Sequence, residues 1–277
     1  MKMQSAEHFH EGPLVAFTSA AIMGAGTAAG RLALSLAGLM PESPSRWSAA
    51  LVAGFIGAGL VISLLHLGRK SRMFHVLRRA GRSALSSEVL LAGIAAAGAA
   101  AVFSLPLPPS AASLLWNLVS FSSVGLLVLI GLVYRLPGRP SWGGAAILSP
   151  VLLGTGFGIL VQALVEHPQS AFTPIAAALI AVETTLYVWR LAAVGAGKGG
   201  GSAEYPELFA ARHVIVPVRV GLMLMSQIFA LLLVESGVAA MTLLVGIVVD
   251  RFAFYALALR RTTESEVARI EAIIQRG

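Results

Sequence analysis

Apolar and polar positions alternate along this chain on the scale of whole segments, not of single residues. Apolar runs cover approximately 13–38, 48–67, 88–106, 112–134, 145–165, 171–192, 213–234 and 237–259. Each is close to the roughly 20 residues a helix needs to cross a bilayer. The breaks carry turn chemistry. Pro41-Glu42-Ser43-Pro44, Pro106 to Pro109, Pro137 to Pro140 and His167-Pro168 interrupt the runs with prolines that cannot continue a helix. Gly195 to Ser202 reads as a flexible glycine-rich linker. The pattern predicts an all-α integral membrane protein with eight transmembrane helices, forming a single membrane domain over 1–277. The first run is too long for a signal peptide and reads as a permanent span. Gly24-Ala25-Gly26-Thr27 in the first run resembles Gly154-Thr155-Gly156 in the fifth. Both spans run the same way, so two parallel four-helix halves are one reading. The other is that small residues simply recur wherever membrane helices pack.

Composition supports the membrane assignment: 57% of residues are apolar and 12% charged, against about 25% charged in soluble domains. With no cysteine, disulfides, iron–sulfur ligation and thiolate metal sites on this chain are excluded. The formal charge of +7 sits between apolar runs, so orientation explains it better than nucleic acid. Sixteen of the 20 Lys and Arg residues lie on the side of the termini and of the second, fourth and sixth connections. The exceptions are Arg31, Arg46, Arg219 and Arg251. The positive-inside rule then places the termini and the 68–87 loop in the cytoplasm. A loop that docks a protein partner would be basic as well.

Ionisable groups inside a bilayer cost about 2.5–3.5 kcal/mol each on insertion scales, so each needs a reason. His66 ends the second span and Glu88 opens the third, both on the basic side. Arg219, Asp250 and Arg251 lie within one to two turns of that face, Glu183 nearer mid-span, and His10 and Glu11 just before the first span. The opposite face shows little comparable chemistry. Structural readings remain open for each. Ser86-Ser87-Glu88 suits a helix start, and His66 suits a helix end. Arg219 suits a snorkelling cation, and Asp250 with Arg251 suits structural pairing. Glu183 is hardest to explain without a partner. No histidine pair lies inside spans, which argues against haem, and no His-x-x-Glu occurs on a span to suggest a metal. Gly195 to Gly201 lacks the lysine–serine/threonine ending of a phosphate loop.

Four elements in order carry a resemblance. They are His10-Glu11-x-Pro13-Leu14; His66-Leu67-Gly68 with Arg72 and Leu85-Ser86-x-Glu88; Val133-Tyr134 with Pro140-Ser141-Trp142; and Arg251-x-x-Phe254-Tyr255. On an eight-span frame, the protein resembles the membrane-anchor subunits of dimethyl sulfoxide reductase, the DmsC family. Lys70 stands where the family usually has proline, and Ser87 where an amide is common. The resemblance implies a haem-free anchor in a bacterial or archaeal cytoplasmic membrane, with no iron–sulfur cluster and no metal of its own. Its implied partners are an iron–sulfur electron-transfer subunit and a molybdopterin catalytic subunit. Its implied substrate is menaquinol, oxidised to menaquinone, with His66, Gly68, Arg72 and Glu88 associated with quinol binding.

The chemistry of those residue types agrees. Quinol oxidation releases two protons, and a histidine near pKa 6.5 or a carboxylate in apolar surroundings can take them up. His66 is expected to bond a quinol oxygen and take its proton. Glu88 either takes the second proton or fixes the imidazole tautomer. Gly68 permits close approach of the headgroup, and Arg72 anchors Glu88 or stabilises developing negative charge. Tyr255, Asp250 and Arg251 are candidates for the far wall of the pocket, with His10 and Glu11 beside them. The same site run in reverse would reduce quinone. Two readings compete: a plain docking anchor without a quinone site, and a secondary transporter built around Glu183, Arg219 and Asp250.

Overall fold

A computed structural model describes residues 12–41, 44–66, 84–133, 145–166, 171–195, 206–232 and 236–256. These residues form eight helices: α1 (Gly12–Leu36), α2 (Arg46–His66), α3 (Ala84–Ser104), α4 (Pro109–Val133), α5 (Ala145–Val165), α6 (Phe172–Gly195), α7 (Pro206–Leu231) and α8 (Ser236–Ala256). All eight are long and apolar enough to cross a membrane. The expected all-α, eight-span membrane architecture is the one observed.

Local chemistry sets several helix ends. α1 closes in a Schellman turn: Gly38 has φ +71°, its N–H bonds the Ser35 carbonyl at 2.9 Å, and the Leu39 N–H bonds the Leu34 carbonyl at 2.9 Å. Ser45 caps α2 by accepting the Ser48 N–H at 3.1 Å. Proline opens both α4 and α7, where its missing N–H would be unpaired anyway. Two starts differ from the hydropathy pattern. α7 begins at Pro206, because polar residues such as Glu207 and Arg212 can extend a helix beyond the lipid. α3 begins at Ala84, which places Ser86 and Ser87 inside the helix and Glu88 four residues in.

The packing is two rings of four. In the first, α1 packs on α2 and α4, α2 on α3, and α3 on α4; in the second, α5 packs on α6 and α8, α6 on α7, and α7 on α8. The rings meet chiefly along α1 and α5, flanked by α4 against α5 and α8 against α1. Advancing every label by four reproduces these pairings, so the four-helix halves are a property of the packing. α1 and α5 are the most enclosed helices. Their backbones approach so closely that a Cβ on Gly26 would strike the Gly154 backbone and one on Gly30 the Gly158 backbone. The sequence echo is therefore in a different register from the one its letters suggested. Gly26-Thr27-x-x-Gly30 faces Gly154-Thr155-x-x-Gly158, a small-xxx-small crossing. Exposed apolar side chains such as Leu114, Phe121, Val214 and Met241 cover the outside, as a lipid-facing surface requires.

Candidate functional site

The start of α1, the end of α2, the start of α3 and the end of α8 lie at one membrane face. Connections as short as 105–108 and 232–235 cannot carry the polypeptide back across the membrane, so these neighbours alternate in direction. Leu14 and Val15 of α1 pack against Phe254 and Tyr255 of α8. The two rings meet edge-on, 5.3 Å between centroids, and the Arg251 guanidinium lies 5.2 Å from the Phe254 ring centre.

Glu88 is the unusual residue at this face. It is 1% exposed, and among the described residues neither carboxylate oxygen has a hydrogen-bond partner. A helix-start role fits it poorly. Glu88 is the fifth residue of α3, beyond the first turn where the helix dipole and the free N–H groups are effective.

His66 is the last residue of α2, and α2 packs on α3, so it ends a helix at the face where α3, which carries Glu88, begins. Gly68, Arg72, His10 and Glu11 lie outside the described residues. Tyr255, Asp250 and Arg251 are all buried near the end of α8, at the same face.

Asp250 and Arg251 also belong to a network inside the second ring. The Arg219 Nε donates to Asp250 Oδ1 at 2.6 Å, and its Nη2 donates to Glu183 Oε1 at 2.5 Å. Ser149 donates to the same Glu183 oxygen at 2.7 Å. The Arg251 Nε donates to Asp250 Oδ2 at 2.9 Å, and its Nη2 donates to that oxygen too. The Tyr187 ring covers Arg219, its centre 3.5 Å from the guanidinium carbon. Arg219 is fully buried, so it does not snorkel. Glu183 finds the partner its depth demanded. Two carboxylates face two guanidiniums, which offsets much of the cost of burying any one of them.

The far face is richer than the sequence pattern suggested. Arg31 at the end of α1 pairs with Glu166 just after α5. Its Nη1 also reaches Gln162 at 3.4 Å, and its Nη2 reaches the Pro41 carbonyl at 3.3 Å. The Ser48 hydroxyl lies 2.9 Å from the Gln162 side-chain oxygen and 2.7 Å from a Glu166 carboxylate oxygen, and its one proton can go to either. Burial alone would push the Glu166 carboxyl up, but hydrogen bonds from Arg31, Ser45 and Ser48 and the Arg31 charge outweigh it and hold it below its ordinary value. This cluster ties α1, α2 and α5 together. The signals for it were a glutamine inside an apolar run and paired serines at the start of α2.

No family model matches the sequence. Over 87 residues it is 38% identical to the C subunit of anaerobic dimethyl sulfoxide reductase from Escherichia coli (strain K12). The match takes in 29% of this protein and 29% of that subunit, so it spans well under a third of the relative's length. That relative is a subunit of the reductase whose anchor family the sequence motifs resemble.

Proposed function

We propose that this protein is the membrane-anchor subunit of a molybdenum oxidoreductase complex related to dimethyl sulfoxide reductase, and that it oxidises menaquinol at the face where α2 ends and α3 begins. The observation that carries the reading is Glu88, a buried carboxylate whose two oxygens lack partners among the described residues. A buried acid of this kind is costly unless something else engages it. A quinol hydroxyl is a donor that would satisfy it. The residues therefore fit the substrate, and the local similarity to a reductase subunit supports the same conclusion.

Oxidation of a quinol removes two electrons and two protons. His66 accepts one hydroxyl proton on its imidazole. Glu88 accepts the second, or holds the His66 tautomer that leaves the accepting nitrogen free, in which case His66 passes the first proton to water at the membrane face before taking the second. Gly68 leaves room for the headgroup, and Arg72 offers a cation at the loop. An iron–sulfur cluster of the partner subunit would take up the two electrons one at a time and supply them to a molybdenum centre for reduction of the terminal acceptor. The basic 68–87 connection docks the partners and lies in the cytoplasm.

The test uses the assembled complex in membranes and a reduced short-chain naphthoquinol as donor. Glu88→Gln and His66→Ala should each lower quinol oxidation by about 10²-fold, the scale of a lost proton acceptor, with normal amounts of complex. Unimpaired turnover in both variants would refute the site.

The transporter reading gains one observation, because Glu183, Arg219 and Asp250 meet in a single buried network. Their charges are committed to each other, as in a structural cluster. Vesicles containing this protein alone should show no solute accumulation driven by an ion gradient.

A further inference from the structure

The network at the centre of the second ring leaves two polar atoms over. Glu183 and Arg219 lie near the midpoints of α6 and α7, so they meet deep in the hydrocarbon region, where bulk water does not reach. Glu183 Oε1 accepts from Arg219 Nη2 at 2.5 Å and from Ser149 at 2.7 Å. Glu183 Oε2 and Arg219 Nη1, by contrast, are buried and have no hydrogen-bond partner among the described residues. Each is one atom removed from the bond between the two side chains, because Nη1 shares a carbon with Nη2 and Oε2 shares one with Oε1. They do not bond each other. The neighbours are already committed. The Ser149 proton goes to Oε1, and Asp250 gives one oxygen to Arg219 and the other to Arg251. Tyr187 covers the guanidinium face, its ring centre 3.5 Å from the central carbon, so only the edge of Arg219 is open to a further partner.

A buried ion pair is favourable only where its remaining lone pairs and protons find partners. The chemistry of the two atoms selects the occupant. The guanidinium would repel a cation, the carboxylate would repel an anion, and an apolar group would satisfy neither. A neutral molecule that accepts a hydrogen bond on one side and donates one on the other fits both. Arg219 is 0% exposed and Glu183 2% exposed, so the occupant is small and enclosed. We propose that Arg219 and Glu183 hold a buried water molecule, which accepts a hydrogen bond from Arg219 Nη1 and donates one to Glu183 Oε2. Two polar partners are what a bridging water needs. This site goes beyond the quinol reading of Glu88 and does not depend on it. The water adds a second tie between α6 and α7 beside the direct ion pair. It completes the hydrogen bonding of a cluster in which Ser149, Glu183, Arg219 and Asp250 bring together all four helices of the second ring.

Cryo-electron microscopy of the full complex in lipid nanodiscs, at a resolution that shows ordered water, tests this without altering the protein. A peak should lie within hydrogen-bond distance of both atoms, about 2.7–3.2 Å. A direct Nη1–Oε2 contact, a gap without density, or a peak touching only one of the two atoms overturns the proposal. Radiolytic labelling gives an independent readout, because an X-ray pulse converts a bound water into a hydroxyl radical that oxidises the nearest ring. Tyr187 lies against Arg219 and is itself buried, so it should be hydroxylated in the wild-type complex. In the double variant Arg219→Met with Glu183→Met, which removes both holders, that label should fall to background. An unlabelled Tyr187 in the wild type, or equal labelling in the double variant, overturns the proposal as well. If the double variant does not accumulate in membranes, the map and the wild-type label decide.

Discussion

Removing one member of a buried ion pair costs more than the intact pair contributes, because the other member is left charged and unpaired. Arg219 is the sharpest case here, with carboxylates on two sides and no exposure. Arg219→Gln should destabilise the detergent-solubilised protein by about 3–5 kcal/mol, read as a large fall in Tm. The Arg31–Glu166 pair adds a pH dependence. The folded protein holds the Glu166 carboxyl below its ordinary value of 4.5. Its contribution is thus fully present above that pH and is lost as pH falls through the lower folded value. Wild type should exceed Glu166→Gln in Tm at neutral pH, and the gap should close on acidification below pH 4.5; a constant gap would contradict the assignment. Glu183, Arg219 and Asp250 were each visible in the sequence, since any ionisable residue in an apolar run stands out. Their meeting was not, because pairing across three helices depends on rotations that no single run records. Arg31 was visible as an exception to the charge bias, but its pairing with Glu166 was not, because near span ends a charge reads as solvated.

Helices were legible because crossing a bilayer imposes a length, and the eight runs met it. Their ends were less legible. Ser86-Ser87-Glu88 has the composition of a helix start, yet α3 begins earlier, and the difference turns Glu88 from a capping acid into a buried one. At the α1–α5 crossing, glycine is required by backbone contact. Gly26→Leu or Gly158→Leu should separate the two helices and sharply reduce folded protein, since each side chain would enter the facing backbone. A methyl group at Gly57 would meet nothing within 4 Å, so Gly57→Ala should be tolerated, with Tm unchanged or slightly raised. Expression followed by fluorescence-detected size exclusion distinguishes the three variants.

At the scale of the molecule, two four-helix rings are joined side by side, and the buried ionisable groups divide between their faces. Glu88 and the end of α8 occupy one face, and the Arg31–Glu166 cluster occupies the other. The repeat was only hinted at in the sequence, since a few glycines cannot fix a register that backbone packing decides. The charge bias predicts that both termini and the 68–87 connection are cytoplasmic. A reporter fused after residue 277 should be active only in the cytoplasm, and one inserted near residue 168 only outside it. The central claim, that a quinol binds where α2 ends and α3 begins, is tested most directly by photo-crosslinking an azido-naphthoquinone to the complex in membranes and mapping the labelled peptides. Label should fall on peptides from the end of α2, the start of α3 and the end of α8, and should be displaced by excess naphthoquinol. Label confined to peptides around Arg31 and Glu166, or none displaced by the quinol, would contradict the account.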